Sequence, residues 1–344
     1  MLSLNKLIVG SWRTSRHLTN ATQKSLSGIL ARSYMAGRNW VAAQGLQMKN
    51  NAAELPSSAP FIYPTRKGRC GVIVFHPTSN VQGVNESACK QLEDNLLLHE
   101  ANEKLGTLVL LCTENATLHG TDYKGCFGNA KDSVTNQRLL TLKRREYATI
   151  NQVHISALPV LAIMNGTFFT SAASLFLNAR FPIITESTSL RFHSAQLGFF
   201  PDAGATKLLS SLGGLGMYLG LSGAELSGHS LVHFGLSPWF IEAEALEAFI
   251  NDMSQNASRN LETLQERLAQ NAMPLQPLEN EAMDRYSEAT RLFNPCFYQD
   301  QSPLDLLKRL ETDGSEFAQT ALRELTAGTS AFSMMVGARE GGEG

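Results

Sequence analysis

Three residues suited to proton transfer or nucleophilic attack lie close together in the sequence: His193, Ser194 and Asp202. A serine hydroxyl shuttles a proton near neutral pH only when a base lies beside it. His193 adjoins Ser194, but on an extended segment neighbouring side chains point to opposite sides, so no catalytic triad is predicted. Asp202 follows Pro201, and a Pro-Asp turn is typical of a helix cap. Alternatively, the lone carboxylate of Asp202 could polarise a water molecule weakly.

The sequence gives little support for a metal site or a phosphate-binding loop. The five cysteines (70, 89, 112, 126 and 296) are widely and irregularly spaced, with no CxxC pair. We therefore predict free thiols in a reducing compartment and no metal site. The stretch 210–214 resembles a glycine loop but lacks the lysine of a phosphate loop, so it indicates a helix C-cap and a turn.

The elements that must position these residues alternate between strand and helix. Apolar runs predict strands at 71–75, 107–112, 160–164 and 182–185, and helices begin near 85, 134, 169 and 203. A long polar loop is expected at 113–132. After about residue 240 the patterns predict only helices, at 242–270, 280–292, 303–312 and 315–326. This order predicts an α/β fold with a mainly parallel sheet.

Composition and charge bound the function. The 344 residues are 43% apolar and 17% charged with a net charge of −2, which excludes global disorder and general, charge-driven nucleic-acid binding. The sequence contains no run of about 18 apolar residues, which is the length that a membrane-spanning helix needs. Residues 1–53 contain seven cations and no acid, whereas residues 54–344 have a net charge of −9.

The basic N-terminus is typical of a mitochondrial presequence, with a cleavage pattern at Arg32-Ser33-Tyr34 before Met35. A basic tail of another use, or an arm that binds RNA or phosphate, remains an alternative. We divide the chain into a presequence-like segment (1–34), a linker or N-terminal extension (35–68), an α/β core (69–240), a C-terminal helical region (241–335) and a flexible tail (336–344).

Five stretches carry a resemblance to a known family: 71–80, 159–166, 197–204, 215–228, and 293–297 together with 313–317. They resemble the crotonase (enoyl-CoA hydratase/isomerase) superfamily and, within it, the 3-hydroxyisobutyryl-CoA hydrolase family, over about residues 68–335. The segment Leu197-Gly-Phe-Phe-Pro-Asp-Ala-Gly204 favours the hydrolase branch. The resemblance implies a crotonase-like ββα spiral core with a C-terminal helical region.

The resemblance also shows where this chain departs from the family. Two backbone N–H groups stabilise the thioester oxyanion in the family, and these positions fall on His119 and Ser171. The family's Gly-Gly-Gly run is replaced by Thr170-Ser171-Ala172, whose Cβ atoms would push an acyl-CoA away. The family's acid/base glutamate falls on Ser194, and the second glutamate of the hydratases falls on Ser174.

Only Asp202 retains the family's acidic residue, so no catalytic residue is expected, and Asp202, Ser194, Ser174, His119 and Ser171 are vestigial positions. Lys143-Arg144-Arg145 could contact CoA phosphates or form a solvated surface. After Met335 the family continues with helices that cover the core, whereas here nine residues remain, so we expect that surface to be open or covered by a partner.

These departures predict a non-catalytic hydrolase-like subunit of a large assembly in the mitochondrial matrix. The family includes a hydrolase-like protein of small mitochondrial ribosomal subunits, so the host is expected to be that subunit, with this chain at its periphery, or else a respiratory complex. The expected partners are proteins, with possible rRNA contact through the basic N-terminus, and no cofactor, metal or CoA ester. An active acyl-CoA hydrolase or hydratase, and an acyl-CoA sensor without turnover, remain the alternatives.

Overall fold

The computed structural model describes residues 62–77, 83–112, 116–123, 133–274, 280–298 and 302–326. The predicted presequence 1–34, the predicted tail 336–344 and Cys126 lie outside these residues. None of the helices in the described ranges is long and apolar enough to cross a membrane.

The strands of the described residues are β1 (Ile62–Lys67), β2 (Cys70–Phe75), β3 (Gly83–Val84), β4 (Thr107–Cys112), β5 (Ala116–Thr121), β6 (Val160–Met164), β7 (Gly166–Phe169), β8 (Phe181–Ile184), β9 (Ser189–Arg191), β10 (Glu225–Ser227) and β11 (Trp239–Phe240). The helices are α1 (Glu86–Glu100), α2 (Ser133–His154), α3 (Thr170–Leu177), α4 (Ala205–Ser210), α5 (Gly214–Ser222), α6 (His229–His233), α7 (Leu246–Gln255), α8 (Leu261–Asn271), α9 (Asn280–Tyr298), α10 (Pro303–Asp313) and α11 (Glu316–Thr326).

The first sheet has the strand order β1-β2-β4-β6-β8-β11, and all neighbours are parallel except the edge pair β1 and β2. Every residue of β2, β4 and β6 is buried. Parallel strands covered on both faces are continuous apolar runs, which is why the sequence predicted them well. The predicted α/β class with a mainly parallel sheet is confirmed.

The second sheet has the order β10-β9-β7-β5-β3, with β10 antiparallel to β9 and the others parallel. Its strands are short, and β5 lies inside the segment predicted as a long polar loop, so that prediction is wrong for residues 116–121. Leu118 is the only large apolar residue of β5, so this strand lacks the apolar run on which strand prediction depends.

Two more expectations need correction. The segment 35–68, predicted as a linker or extension, contains β1, which pairs along its whole length with β2. The helix predicted over 242–270 is two helices, α7 and α8, separated at residues 256–260. Asn260 accepts hydrogen bonds from the backbone N–H groups of Glu262 and Thr263, so it caps the second helix.

One apolar core joins the sheets and the C-terminal helices. It runs from Ile73 in β2 through Phe176 in α3 to Leu325 in α11. Helices α9 and α11 both pack on α5, and Tyr218 of α5 donates a hydrogen bond to Glu324 at 3.0 Å. The helical region predicted for the C-terminal part is therefore packed on the α/β core.

Candidate functional site

A buried group of polar side chains lies where α2, the end of β5, the start of α3 and the loop before α4 meet. Glu146 of α2 is its centre and is 1% exposed. Both carboxylate oxygens of Glu146 accept from the Thr121 hydroxyl at 3.0 Å, and Oε1 accepts from the Ser171 hydroxyl at 2.7 Å. The carboxylate therefore ties β5 and α3 to α2.

Lys143 joins Glu146 to the acid that the sequence singled out. The Lys143 Nζ atom lies 3.0 Å from Glu146 Oε2 and 2.7 Å from Asp202 Oδ2, and it donates to Thr121 Oγ1 at 2.5 Å. The Tyr147 hydroxyl donates to Asp202 Oδ2 at 2.8 Å. One ammonium thus holds two carboxylates. We call Thr121, Lys143, Glu146, Ser171 and Asp202 the buried network.

Burial and charge act in opposite directions on these groups. Burial raises the pKa of Glu146 above its ordinary value, although Lys143 and the Ser171 hydroxyl favour the ionised form. Burial alone would lower the pKa of Lys143, but Glu146 and Asp202 outweigh it, and the pKa is raised above the usual lysine range. Lys143 is therefore a protonated cation that bridges the carboxylates.

The sequence places these groups by simple local rules. Lys143, Glu146 and Tyr147 are separated by three and four residues on α2, so they share one helix face. Thr121 reaches the network because β5 has a bulge: Gly83 pairs with His119 and Val84 with Thr121, which leaves Gly120 as an extra residue. Ser171 lies in the first turn of α3.

The start of α3 keeps a backbone conformation that favours glycine. Thr170 has a φ of +40°, which a β-branched residue rarely adopts. The left-handed region costs an L-residue roughly 1–2 kcal/mol, so the fold retains the turn at a cost in stability. The side chains of Thr170, Ser171 and Ala172 are all buried there.

The structure brings only two of the five predicted positions together, Ser171 and Asp202. His119 does not join them: its ring stacks on Phe169 with centroids 4.9 Å apart. The residue of β5 whose side chain approaches Ser171 is Thr121, with 3.4 Å between the hydroxyl oxygens. Whether His119 supplies a backbone donor stays a prediction.

The two serines at glutamate positions are buried and lie outside the network. Ser174 is fully buried in α3, and its hydroxyl has no hydrogen-bond partner within the described part of the chain. Ser194 is 3% exposed and has helical backbone angles at the start of a 3₁₀ turn (Ala195–Leu197). The expectation that Ser194 lies on an extended segment is therefore wrong. His193 lies edge-on to Phe169, with 4.8 Å between ring centroids.

Asp202 does not cap a helix. The N-cap of α4 is Gly204, which carries no side-chain cap, and only the backbone carbonyl of Asp202 accepts from Ala205 N. The carboxylate instead points to Lys143 and Tyr147, and its Oδ1 atom is buried without a partner among the described residues. The helix-cap interpretation is wrong because the ion pair takes the side chain.

Sequence reasoning missed Glu146, Thr121 and the inward direction of Lys143. Of the three adjacent cations, Lys143 points into the network, Arg145 pairs with Glu86 and Glu93, and Arg144 is exposed. The signal that could have indicated this is Glu146, the one acid on α2, spaced three residues from Lys143. Within the described ranges no group of three metal-ligating side chains occurs, and Cys70, Cys89, Cys112 and Cys296 form no disulfide bond there.

The two-sheet core with helices packed against it defines the crotonase class of α/β proteins. The family model for enoyl-CoA hydratase/isomerase matches residues 70–343, and the chain belongs to this family. The fold is also that of a carnitinyl-CoA dehydratase from Mycobacterium thermoresistibile, which is 18% identical with a TM-score of 0.68, over 79% of this chain and 76% of that one. The predicted crotonase-like fold is confirmed.

Two kinds of curated relative are similar to the chain. The mitochondrial 3-hydroxyisobutyryl-CoA hydrolase of Xenopus laevis is 24% identical over 84% of this chain and 74% of its own length. That of Dictyostelium discoideum is 23% identical over 83% of this chain and 76% of its own length. The small ribosomal subunit protein mS47 of Neurospora crassa is 29% identical over 54% of this chain and 37% of its own length. The resemblance to the hydrolase family is confirmed.

Proposed function

We propose that this chain is a non-catalytic, hydrolase-like subunit of a mitochondrial assembly, and that its host is the small ribosomal subunit. The observation that carries the proposal is the Lys143 bridge, with 3.0 Å to Glu146 and 2.7 Å to Asp202. An acid or base must exchange a proton with a substrate. Here one cation holds both carboxylates of the site.

The start of α3 supports the same conclusion. Thioester chemistry needs donors aimed at an oxygen that becomes negative in the transition state. The Ser171 hydroxyl instead donates to Glu146 at 2.7 Å, so a carboxylate already lies at this helix start and opposes a second negative charge. The cavity beside Ser171 and Glu146 has a volume of only about 10 Å³, about enough for one water molecule.

The lost glutamates complete the argument. Ser194 and Ser174 are buried hydroxyls, and neither has a base assigned to it by the described contacts. A hydroxyl without a base does not transfer protons efficiently at neutral pH. We therefore expect neither hydrolysis nor binding of CoA esters, and no cofactor.

The place in the cell is proposed from the relatives and the N-terminus. The hydrolases from Xenopus and Dictyostelium are named as mitochondrial, and the Neurospora relative is named as a small ribosomal subunit protein. Residues 1–53, with seven cations and no acid, fit import into the matrix and could contact rRNA. The net charge of −9 over residues 54–344 favours a peripheral position against proteins. A respiratory complex is the alternative host.

The catalytic half of the proposal is tested with the purified full chain and 3-hydroxyisobutyryl-CoA. We measure release of the CoA thiol and, by calorimetry, binding of the ester, with Asp202→Asn as the matched variant. The expected result is no turnover above buffer and no binding in either protein. Turnover that falls in Asp202→Asn would establish an active hydrolase, and binding without turnover would establish a sensor; either result contradicts the proposal.

A further inference from the structure

A cavity with a volume of about 550 Å³ lies between the second sheet and the C-terminal helices. This volume is within the range of about 300–1,000 Å³ that is typical of ligand sites. Residues from β7, β9 and β10 line the cavity together with residues from α9 and α11. The aromatic and charged side chains of the lining are Phe169, His193, Arg191, Glu225, Arg285 and Glu324. We call this space the charged cavity, and no residue of the buried network lines it.

Two aromatic rings of the charged cavity, Phe169 and His193, form what we call its aromatic lining. The two rings are nearly perpendicular, with 4.8 Å between centroids and 84° between planes, so a planar ligand can lie flat on one ring while its edge meets the other. His119 stacks on Phe169 and fixes its position. Burial lowers the pKa of His119 and of His193, so both imidazoles are neutral at pH 7.

The strands add a paired cation and acid to the same cavity. Arg191 of β9 lies directly opposite Phe169 of β7 and Glu225 of β10, so the three side chains share one face of the second sheet. The Arg191 guanidinium donates to Glu225 Oε2 at 2.5 Å and 3.1 Å. This ion pair therefore adds no net charge beside the Phe169 ring.

The C-terminal helices add a second cation and a second acid. Arg285 of α9 donates to the Tyr218 hydroxyl at 3.4 Å, and this hydroxyl donates to Glu324 of α11 at 3.0 Å. The bond from Arg285 is longer than the usual length of about 2.7–3.2 Å, so its guanidinium is weakly held and can turn toward a ligand. With His193 neutral, the two arginines and two glutamates of the lining give the charged cavity a net charge of zero.

We infer that the charged cavity binds an unpaired base of an RNA strand, with the base against the aromatic lining and the sugar and phosphate outside. A base is planar and uncharged, and its edge carries donors and acceptors that Arg, Gln and Glu side chains recognise. The cavity offers all three side-chain types, in Arg285, Gln196 and Glu324. Stacking of unpaired bases on aromatic side chains is the usual basis of single-strand binding.

The balanced charges of the cavity disfavour other occupants. An acidic peptide, a basic peptide or a small inorganic anion would meet one like charge for each opposite charge. A purely apolar segment would remove water from the charged side chains without replacing its hydrogen bonds. A neutral base avoids both costs. Because the contact is made to a base, it does not need the cationic surface that residues 54–344, with a net charge of −9, lack as a whole.

This inference rests on the proposed function in one respect: a ribosomal host makes RNA, and not a free nucleotide, the source of the base. We titrate the purified full chain with a fluorescein-labelled single-stranded RNA dodecamer of mixed sequence and with the same ribose-phosphate backbone without bases. Both probes carry the same phosphates, so the basic residues 1–53 attract them equally. Because stacking of one base typically contributes about tenfold in affinity, the dodecamer should bind about tenfold more tightly than the abasic probe.

Two variants locate this preference in the charged cavity. Phe169→Leu should remove the tenfold preference for the dodecamer and leave the affinity for the abasic probe unchanged. Arg285→Ala, at an exposed position, should weaken the dodecamer selectively in the same way. The matched control is Arg144→Ala at an exposed position of α2, which should change the affinities for both probes alike. Far-UV circular dichroism checks that each variant is folded.

Three results would overturn the inference: equal affinity of the wild type for the two probes, an undiminished preference in both cavity variants, or a nucleoside 5′-monophosphate that binds as tightly as the dodecamer. The last result would assign the cavity to a free nucleotide. These titrations use the isolated chain, so they are independent of the host. Cosedimentation with ribosomal subunits without a base preference rejects the cavity alone, whereas a base preference without cosedimentation rejects the host.

Discussion

Replacing Lys143 by methionine tests whether the buried network is an ion bridge. The substitution keeps most of the side-chain volume but removes the ammonium, which is 3.0 Å from Glu146 and 2.7 Å from Asp202. The side chains of Lys143, Glu146 and Asp202 are only 12%, 2% and 9% exposed, so solvent screens the lost attraction poorly. Removing one partner of a buried ion pair lowers the free energy of unfolding by about 3–5 kcal/mol. Because Lys143 is partly exposed, we expect a loss of about 3 kcal/mol for Lys143→Met.

The loss of stability in Lys143→Met should depend on pH in a definite direction. Without Lys143, burial raises the folded-state pKa of Glu146 further above its unfolded value. A group with a raised folded-state pKa stabilises the fold fully below its unfolded pKa, and this contribution disappears as the pH rises through the folded pKa. The deficit of Lys143→Met relative to wild type should therefore be larger at pH 7 than at pH 5.

The assay is urea unfolding of the full chain, followed by far-UV circular dichroism at both pH values. Lys90→Met, at an exposed position of α1, is the control and should change the free energy of unfolding by less than about 0.5 kcal/mol. The double variant Lys143→Met/Glu146→Gln should recover part of the lost stability, because only one of the two carboxylates that Lys143 holds, Asp202, is then left without its counter-ion. If Lys143→Met lowers the free energy of unfolding by less than about 1 kcal/mol, or by the same amount at both pH values, Lys143 does not stabilise the fold as an ion bridge.

Three further outcomes are expected. Ser171→Ala removes the 2.7 Å hydrogen bond to Glu146 and should lower the free energy of unfolding by about 1.5–3 kcal/mol in the same assay; a change under about 0.5 kcal/mol contradicts the contact. Gly216→Ala places a Cβ atom 1.8 Å from the backbone oxygen of Leu209 where α4 meets α5, and should cost about 1–3 kcal/mol, whereas a stabilised variant would show that these helices are placed wrongly. Asp202→Asn should leave thiol release from 3-hydroxyisobutyryl-CoA at the background level, and a fall from a measurable rate would show catalysis.

The four inner strands of the first sheet were predictable from the sequence, whereas its edge strands β1 and β11 and the second sheet were not. Strands β4 and β6 have the predicted bounds because each is an uninterrupted apolar run, buried on both faces. Strand β5 contains His119, Gly120 and Thr121 and is only partly buried, so local composition indicated a loop. The break between α7 and α8 was missed because their apolar stripes continue one another, although Asn260 carried a capping signal.

The candidate site was predictable only in outline. The resemblance located Ser171 and Asp202, which the structure brings into one network through Lys143 and Glu146. Lys143 belongs to a run of three cations, and no local rule tells which of them points inward. That direction follows from contacts between α2 and residues 22 to 59 positions away along the chain, which composition does not encode.

The central claim is most directly tested by sedimentation of native mitochondrial extract, with this chain followed by mass spectrometry across the gradient. We predict cosedimentation with the small ribosomal subunit that persists at moderate salt, because contacts buried in an interface are screened less than exposed ones. Cosedimentation with a respiratory complex would replace the proposed host. Migration at the mass of a single chain or a small homo-oligomer, together with acyl-CoA hydrolysis by that fraction, would contradict the account.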